Sequence, residues 1–292
     1  MGTLSVIKIL GHLKFMSAGL KLPTAKAASG DGFSNKYYKD RDPDSDGSPV
    51  APNQIPIPFL QPQKPGYSHQ QKTCNKIGKD FQDFHDAMLD AVQFSHNMWK
   101  LQAMFKDLKI MGPSAIGTPG CLSGPPLESN IKNAPMVASF TGNMAKHRDA
   151  VAKGVSTCFK NWQDQVMIPG LPLYPLFAAF PGPMAPPTPN IPVPLIACPS
   201  AKVSDIITPS AMTQEMDDAL DGGLKKKDPE KHYNALHASI AQALSIGFLI
   251  WVASQLVTNC LGQGPIPTFA PPYVPVGPVM NGSNIPAPNF MA

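Results

Sequence analysis

From 232 to 292 the chain carries no Asp, Glu, Lys or Arg, and the same holds for 165–201, 110–127 and 47–63. Those blocks also hold most of its 34 prolines: Ile55-Pro56-Ile57-Pro58-Phe59-Leu60, the stretch 169–199 and the stretch 265–288. Proline removes a backbone donor and favours extended, polyproline-like backbone, so these segments are neither ordinary helices nor central strands. A solvated linker is built from Ser, Gly, Glu and Lys, whereas these are rich in Leu, Tyr, Phe and Ile. Burying four such side chains, Leu171, Tyr174, Phe177 and Phe180, is worth about 6–12 kcal/mol at ~1.5–3 each. Proline also lowers the entropy lost on ordering the segment. The blocks therefore read as apolar arms that must lie ordered against a surface.

Charged segments between the arms carry helix patterning. Residues 74–109 contain no proline and place Phe81, Phe84, Met88, Val92 and Met98 or Trp99 at helical spacing. A second helix is expected over 135–167, with Asn133 as its cap. A third starts at Asp228-Pro229 and runs to Leu261-Gly262. A shorter one spans 209–220, capped by Thr208 and stopped by Gly222-Gly223. No strand pattern longer than a few residues is visible. The fold class expected is mainly α: a small bundle of three related long helices plus one short helix, with long proline-rich extended arms.

The relation between the long helices shows when they are aligned on tryptophan. Residues 88–99 read MLDAVQFSHNMW, 151–162 read VAKGVSTCFKNW and 240–251 read IAQALSIGFLIW. Trp99, Trp162 and Trp251 coincide, as do Val92, Val155 and Leu244. Phe159 and Phe248 coincide where the first copy has His96, and the small residues Ser95, Cys158 and Gly247 share one position. The arms echo each other as Gln54-Ile55-Pro56, Asn190-Ile191-Pro192 and Asn284-Ile285-Pro286. Separations of 63 and 89 residues between the tryptophans are too irregular for a solenoid. This divides the chain into an N-terminal arm (1–73), a first helical unit and arm (74–128), a second (129–208) and a third with a C-terminal arm (209–292).

Composition excludes two classes of protein. A 43% hydrophobic content with a net charge of +4 does not describe a disordered polyelectrolyte, and 24 basic against 20 acidic residues leave little surplus for phosphate. Cys74, Cys121, Cys158, Cys198 and Cys260 are odd in number and widely spaced, unlike a disulfide framework or zinc site. They read as reduced thiols of a protein made in a reducing cytoplasm. The N-terminus lacks a secretory pattern and suggests instead an amphipathic stretch over 4–22. Residues 238–261 are uncharged and long enough to cross a bilayer, but Gln242, Ser245, Ser254, Gln255, Thr258 and Asn259 favour a buried central helix.

The chain holds few chemical motifs. There is no HExxH, CxxC, GxSxG or phosphate loop. His85, Asp86 and Asp90 are close enough on a helix to suggest a metal, but read as a solvated face. His232 and His237 do not share a face. Lys225-Lys226-Lys227 reads as a solvated loop, and the calcium-loop-like run Asp42–Gly47 lacks the closing Glu and reads as a turn. The tryptophans read as core anchors. No catalytic residue, metal or cofactor is expected, and the chain is not expected to be an enzyme.

The sequence points to a structural subunit of a large assembly, of the virion, phage-tail or contractile-injection kind. Its core would be built on Trp99, Trp162, Trp251, Phe159, Phe248, Val92, Val155 and Leu244. Its interface to other subunits of the particle, homo- or hetero-oligomeric, would be Leu171, Tyr174, Phe177, Phe180, Ile191, Phe269, Tyr273, Ile285 and Phe290. No specific nucleic-acid partner is expected. The alternatives are arms that wrap their own bundle, proline-rich ligands for aromatic grooves, and a membrane-inserting effector or pore component using 238–261.

Overall fold

A computed structural model describes residues 3–18, 68–267 and 276–291. It corrects the expected fold class: the protein is 52% helix and 19% strand, a mixed α/β fold with a six-stranded antiparallel sheet. Its helices are α1 (Lys8–Ser17), α2 (Ser68–Gln102), α3 (Leu127–Lys132), α4 (Gly142–Asp164), α5 (Val203–Ile207), α6 (Pro209–Ala219), α7 (Gly222–Lys227) and α8 (His232–Ser254). Its strands are β1 (Met104–Phe105), β2 (Lys109–Met111), β3 (Ser114–Gly117), β4 (Leu122–Ser123), β5 (Ile168–Pro172), β6 (Phe180–Pro181), β7 (Met184–Thr188), β8 (Val193–Pro194), β9 (Leu256–Val257), β10 (Leu261–Pro265), β11 (Val276–Gly277) and β12 (Gly282–Ile285).

The three long helices are present, with shifted ends. Before α4, residues 134–140 form successive tight turns through Ala138 N–H to Ala134 O and Phe140 N–H to Val137 O. Asp228 does bind the start of α8, accepting from Tyr233 N–H at 3.0 Å, but the helix begins only at His232. Gly222-Gly223 is no stop. Asp221 accepts from Gly223 N–H and Leu224 N–H and caps a further short helix there. Helix α8 is apolar and long enough for a membrane span, yet 72% of its most apolar window is buried inside the fold.

The strands escape a periodicity reading because seven of the twelve have only two or three residues and the rest four or five, the lower end of the 4–8 over which alternation registers. They come from the proline arms. The sheet order is β5-β3-β2-β12-β10-β7. An antiparallel bridge, Leu173 to Asn190, with Ile191 N–H bonded to Pro172 O at 2.9 Å, joins the two edges and closes the ring. That bridge lies just past the ends of β5 and β7, and Pro169, Pro172, Pro186 and Pro187 sit on these two edge strands, where proline is tolerated and hinders addition of a further strand.

Each helical unit contributes two strands: β2 and β3 from the first, β5 and β7 from the second, β10 and β12 from the third. The second strand of each unit pairs with the first strand of the next, as β3–β5, β7–β10 and β12–β2. Just after each long helix, a short segment pairs with the end of its own unit: β1 with β4, Val166 with Ser200, and Val257 with Met291. The arms are therefore cyclically interlaced within one chain.

Asparagines fix this lacing. Asn284 accepts from Leu108 N–H at 2.9 Å and donates to Phe105 O at 2.8 Å. Asn190 accepts from Cys260 N–H at 2.9 Å and donates to Val257 O at 3.0 Å. The same side chain, in the same Asn-Ile-Pro context, thus brackets the segment after the long helix of the following unit. The ring is narrow. A Cβ at Gly262 would lie 2.6 Å from Ile110 Cδ1 and 3.2 Å from Leu173 Cδ1. Gly262→Val is expected to cost about 1–3 kcal/mol by overpacking, read as a lower chemical-denaturation midpoint.

Candidate functional site

The residues aligned by sequence meet at the centre. The rings of His96, Phe159 and Phe248 form a triangle with centroid separations of 5.7, 5.9 and 5.7 Å. One turn on, Trp99, Trp162 and Trp251 form a second, at 6.2, 6.0 and 5.5 Å. The two layers touch, with Trp99 against Phe159 at 4.8 Å and His96 against Trp251 at 4.4 Å. Val92, Val155 and Leu244 are fully buried on the preceding turn, with Ser95 and Cys158 beside them. Aromatic rings at 4.5–7 Å in edge-on arrangement are favourable contacts. Trp99 Nε1 donates to Gln163 at 2.7 Å and Trp251 Nε1 donates to Gln255 at 3.2 Å.

One member of the cluster differs chemically. His96 is fully buried, and neither ring nitrogen has a hydrogen-bond partner. Burial first, and then the positive Lys100 one turn on, push its pKa down to about 3. It is a neutral ring packed as an aromatic.

Four other histidines, His12, His85, His232 and His237, are paired with carboxylates. His237, fully buried, has Nδ1 2.7 Å from Asp217 Oδ1, and His232 Nδ1 lies 2.7 Å from Asp228 Oδ1. His147 stands 6.0 Å from His237 by ring centroid, and burial pushes its pKa down to about 4. The remaining group joins α1 to α2. His12 Nε2 and His85 Nδ1 both reach Asp86 Oδ1, at 2.7 and 2.9 Å. Burial lowers the pKa of His85, only partly offset by the Asp86 bond. Burial works against the Asp86 carboxylate, but the bonds from His85 and His12 outweigh it and hold its pKa below the usual value.

This corrects the reading of His85, Asp86 and Asp90 as a solvated face. His85 is buried, Asp86 is half-buried between two imidazoles, and Asp90 instead pairs with Lys8 at 2.8 Å. The partner the sequence reading missed is His12, which reaches Asp86 because α1 lies across α2 and α8. Phe15 beneath Phe81 and Leu4 beside Gly247 seat that helix. Only its amphipathic pattern hinted at this.

The expected interface residues divide into groups. Leu171, Phe177 and Phe290 are buried in the chain's own core, so for them the expected outward role is corrected. Phe290 packs at a tilt against Phe105, ring centroids 4.4 Å apart, at the join between third and first units. Phe180 and Ile285 are half-buried, and Tyr174 and Ile191 are exposed. Phe269 and Tyr273 lie outside the described residues, as do 19–67 with the calcium-loop-like run and Gln54-Ile55-Pro56.

A surface the sequence did not single out is the outer wall of the strand ring. Buried Ile110, Ala115, Leu171, Ala185 and Gly262 alternate with outward Met111, Ile116, Met184, Leu261 and Ile285. Met184 is 60% exposed, Met111 49% and Ile116 43%. Across all six strands the only charged residue is Lys109. Cys121, Cys158, Cys198 and Cys260 are buried free thiols, and burial raises each pKa, to about 11 for Cys121 and about 12 for the others. Such thiols are poor nucleophiles. No family model matches this chain, and neither a curated protein nor a solved structure does.

Proposed function

We propose that this protein is a non-enzymatic structural subunit of a large assembly that packs the outer wall of its strand ring against neighbouring subunits. The observation that carries this reading is the wall itself. Antiparallel sheets that face water on one side normally turn polar residues outward. Here the wall is Met, Ile, Leu, Pro, Ser and Gln with one lysine. Its exposed apolar side chains flank a central row of Lys109, Ser283 and Gln263, and an exposed wall with so little charge suits contact with another protein surface.

The proposal moves the interface from the arms' large buried side chains, Leu171, Phe177 and Phe290, which serve the internal lacing, to the outward face of the strands those arms form. Proline on both edge strands disfavours strand addition there and directs contact to the wall. A second copy of the chain is the simplest neighbour, because a nearly uncharged wall does not repel its own kind. The particle types that use such subunits include virions, phage tails and contractile-injection devices, a comparison by analogy.

Sedimentation of the purified full chain without detergent tests this. The wild type is expected to associate, and Met111→Lys/Ile116→Lys to weaken association at least about tenfold, the equivalent of about 1.4 kcal/mol. Both positions are outward-facing, so the thermal midpoint should stay close to that of the wild type. A wild type that stays monomeric up to its solubility limit, or a variant that associates unchanged, would overturn the reading.

A further inference from the structure

We propose that His12, His85 and Asp86 form a binding site for one transition-metal ion of the zinc class, and that the ion locks α1 onto the helical bundle. Their donor atoms lie within 4.8 Å of one another. Two imidazole nitrogens and one carboxylate oxygen are the donor set that zinc and its first-row neighbours take, whereas calcium and magnesium prefer oxygen alone. His12 comes from α1, and His85 and Asp86 from α2, so a bound ion bridges two elements that are otherwise joined by packing, the Lys8–Asp90 pair and the contacts of His12 with Asp86 and Gln82.

The protons supply a second, independent argument. Without an ion, the two contacts to Asp86 Oδ1 are satisfied when both imidazoles present N–H groups, from His12 Nε2 and from His85 Nδ1. His85 then carries a bare lone pair on Nε2. That atom is buried and has no hydrogen-bond partner, and the Ser239 carbonyl lies beside it. Two lone pairs facing each other in a buried place are unfavourable. A metal on Nδ1 reverses this, because the single ring proton moves to Nε2 and can be donated to the Ser239 carbonyl. His12 likewise shifts its proton from Nε2 to Nδ1, which faces the Gln82 side chain at 3.4 Å. Gln82 can present its oxygen there by an amide flip. Both rings remain neutral, so no net proton is released. Metal-bound histidines characteristically donate their other N–H to a carbonyl or similar group.

Metal bonds of about 2.0–2.1 Å to a tetrahedral ion separate ligand atoms by about 3.3 Å, so the two nitrogen–oxygen contacts must open by about half an ångström. Rotation of the half-exposed Asp86 carboxylate and a small shift of α1 supply that. The adjoining small cavity, bordered by Gln82 and Ser239, leaves room for water as a fourth ligand.

The test uses the full chain stripped with a chelator. Calorimetry is expected to show one Zn2+ bound per chain, with a rise of several degrees in the thermal midpoint and no response to Mg2+. Tryptic cleavage after Lys8 and Lys14 should slow when Zn2+ is present. His12→Ala should weaken binding at least tenfold and abolish both responses, whereas His232→Asn, in a separate His–Asp pair, should change neither. Co2+ bound to the wild type, a readout independent of any variant's folding, should give visible bands without thiolate charge transfer. Failure to bind Zn2+, equal binding by His12→Ala, or a thiolate band that moves the metal to cysteine would each overturn the proposal.

Discussion

Trp251→Ala is expected to destabilise the protein by about 3–5 kcal/mol, the range for deleting a large buried aromatic side chain. This is a sizeable share of the roughly 5–15 kcal/mol total typical of a folded chain. The loss is concentrated because Trp251 touches every other member of the central cluster: His96, Trp99, Phe159, Trp162 and Phe248. All three long helices converge there, so the cavity cannot be closed by moving one element without opening the others. Urea denaturation followed by far-UV circular dichroism measures the loss. A cost below about 1 kcal/mol, the size of an ordinary point substitution, would show that the cluster relaxes freely and is not the keystone of the bundle.

His96→Phe is expected to do the opposite and stabilise the fold by about 1–3 kcal/mol at neutral pH, the usual cost of leaving a buried polar group unsatisfied. Phenylalanine already occupies the two equivalent positions, at ring separations that suit it. The pH dependence gives a sharper test. The folded-state pKa of His96 is about 3, against 6.5 for the unfolded chain. Between those values the unfolded chain binds the extra proton. Stability is therefore complete above pH 6.5 and falls as the pH drops toward 3, by up to about 1.4 kcal/mol per unit. His96→Phe removes that contribution, so its advantage over the wild type should grow on acidification. Part of the acid sensitivity should remain, because the pKa of His147 is also depressed, to about 4. Thermal midpoints of both proteins from about pH 7 to about pH 4.5, within the window those shifts define, decide the matter. A variant less stable than the wild type at every pH would mean that ring size, not the unsatisfied nitrogens, governs this position.

The candidate site was only partly legible. Asp86 and His85 are neighbours in the chain, so their proximity could be read directly. Their third partner, His12, lies on another helix more than seventy positions away, and no local pattern links the two. The wall of the strand ring was hidden for a similar reason: Met111, Ile116 and Met184 belong to strands too short for alternation to stand out from a proline-rich background.

What the sequence determined by itself was the set of long helices and the residues each turns inward. Helical hydrogen bonds join residues four apart, so the spacing of Val92, His96 and Trp99, and of their counterparts, already implies a common face. The repeated Asn-Ile-Pro signature was legible there too. Only the tertiary structure decided where the proline arms go. Asn284 binds the backbone of Phe105 and Leu108 from more than 170 positions away, and such pairings depend on the whole chain having closed around its core. An uncharged, proline-stiffened segment must cover apolar surface, but its composition does not say whose. Here much of that surface belongs to the same chain, because three interlaced units supply one another's missing strands.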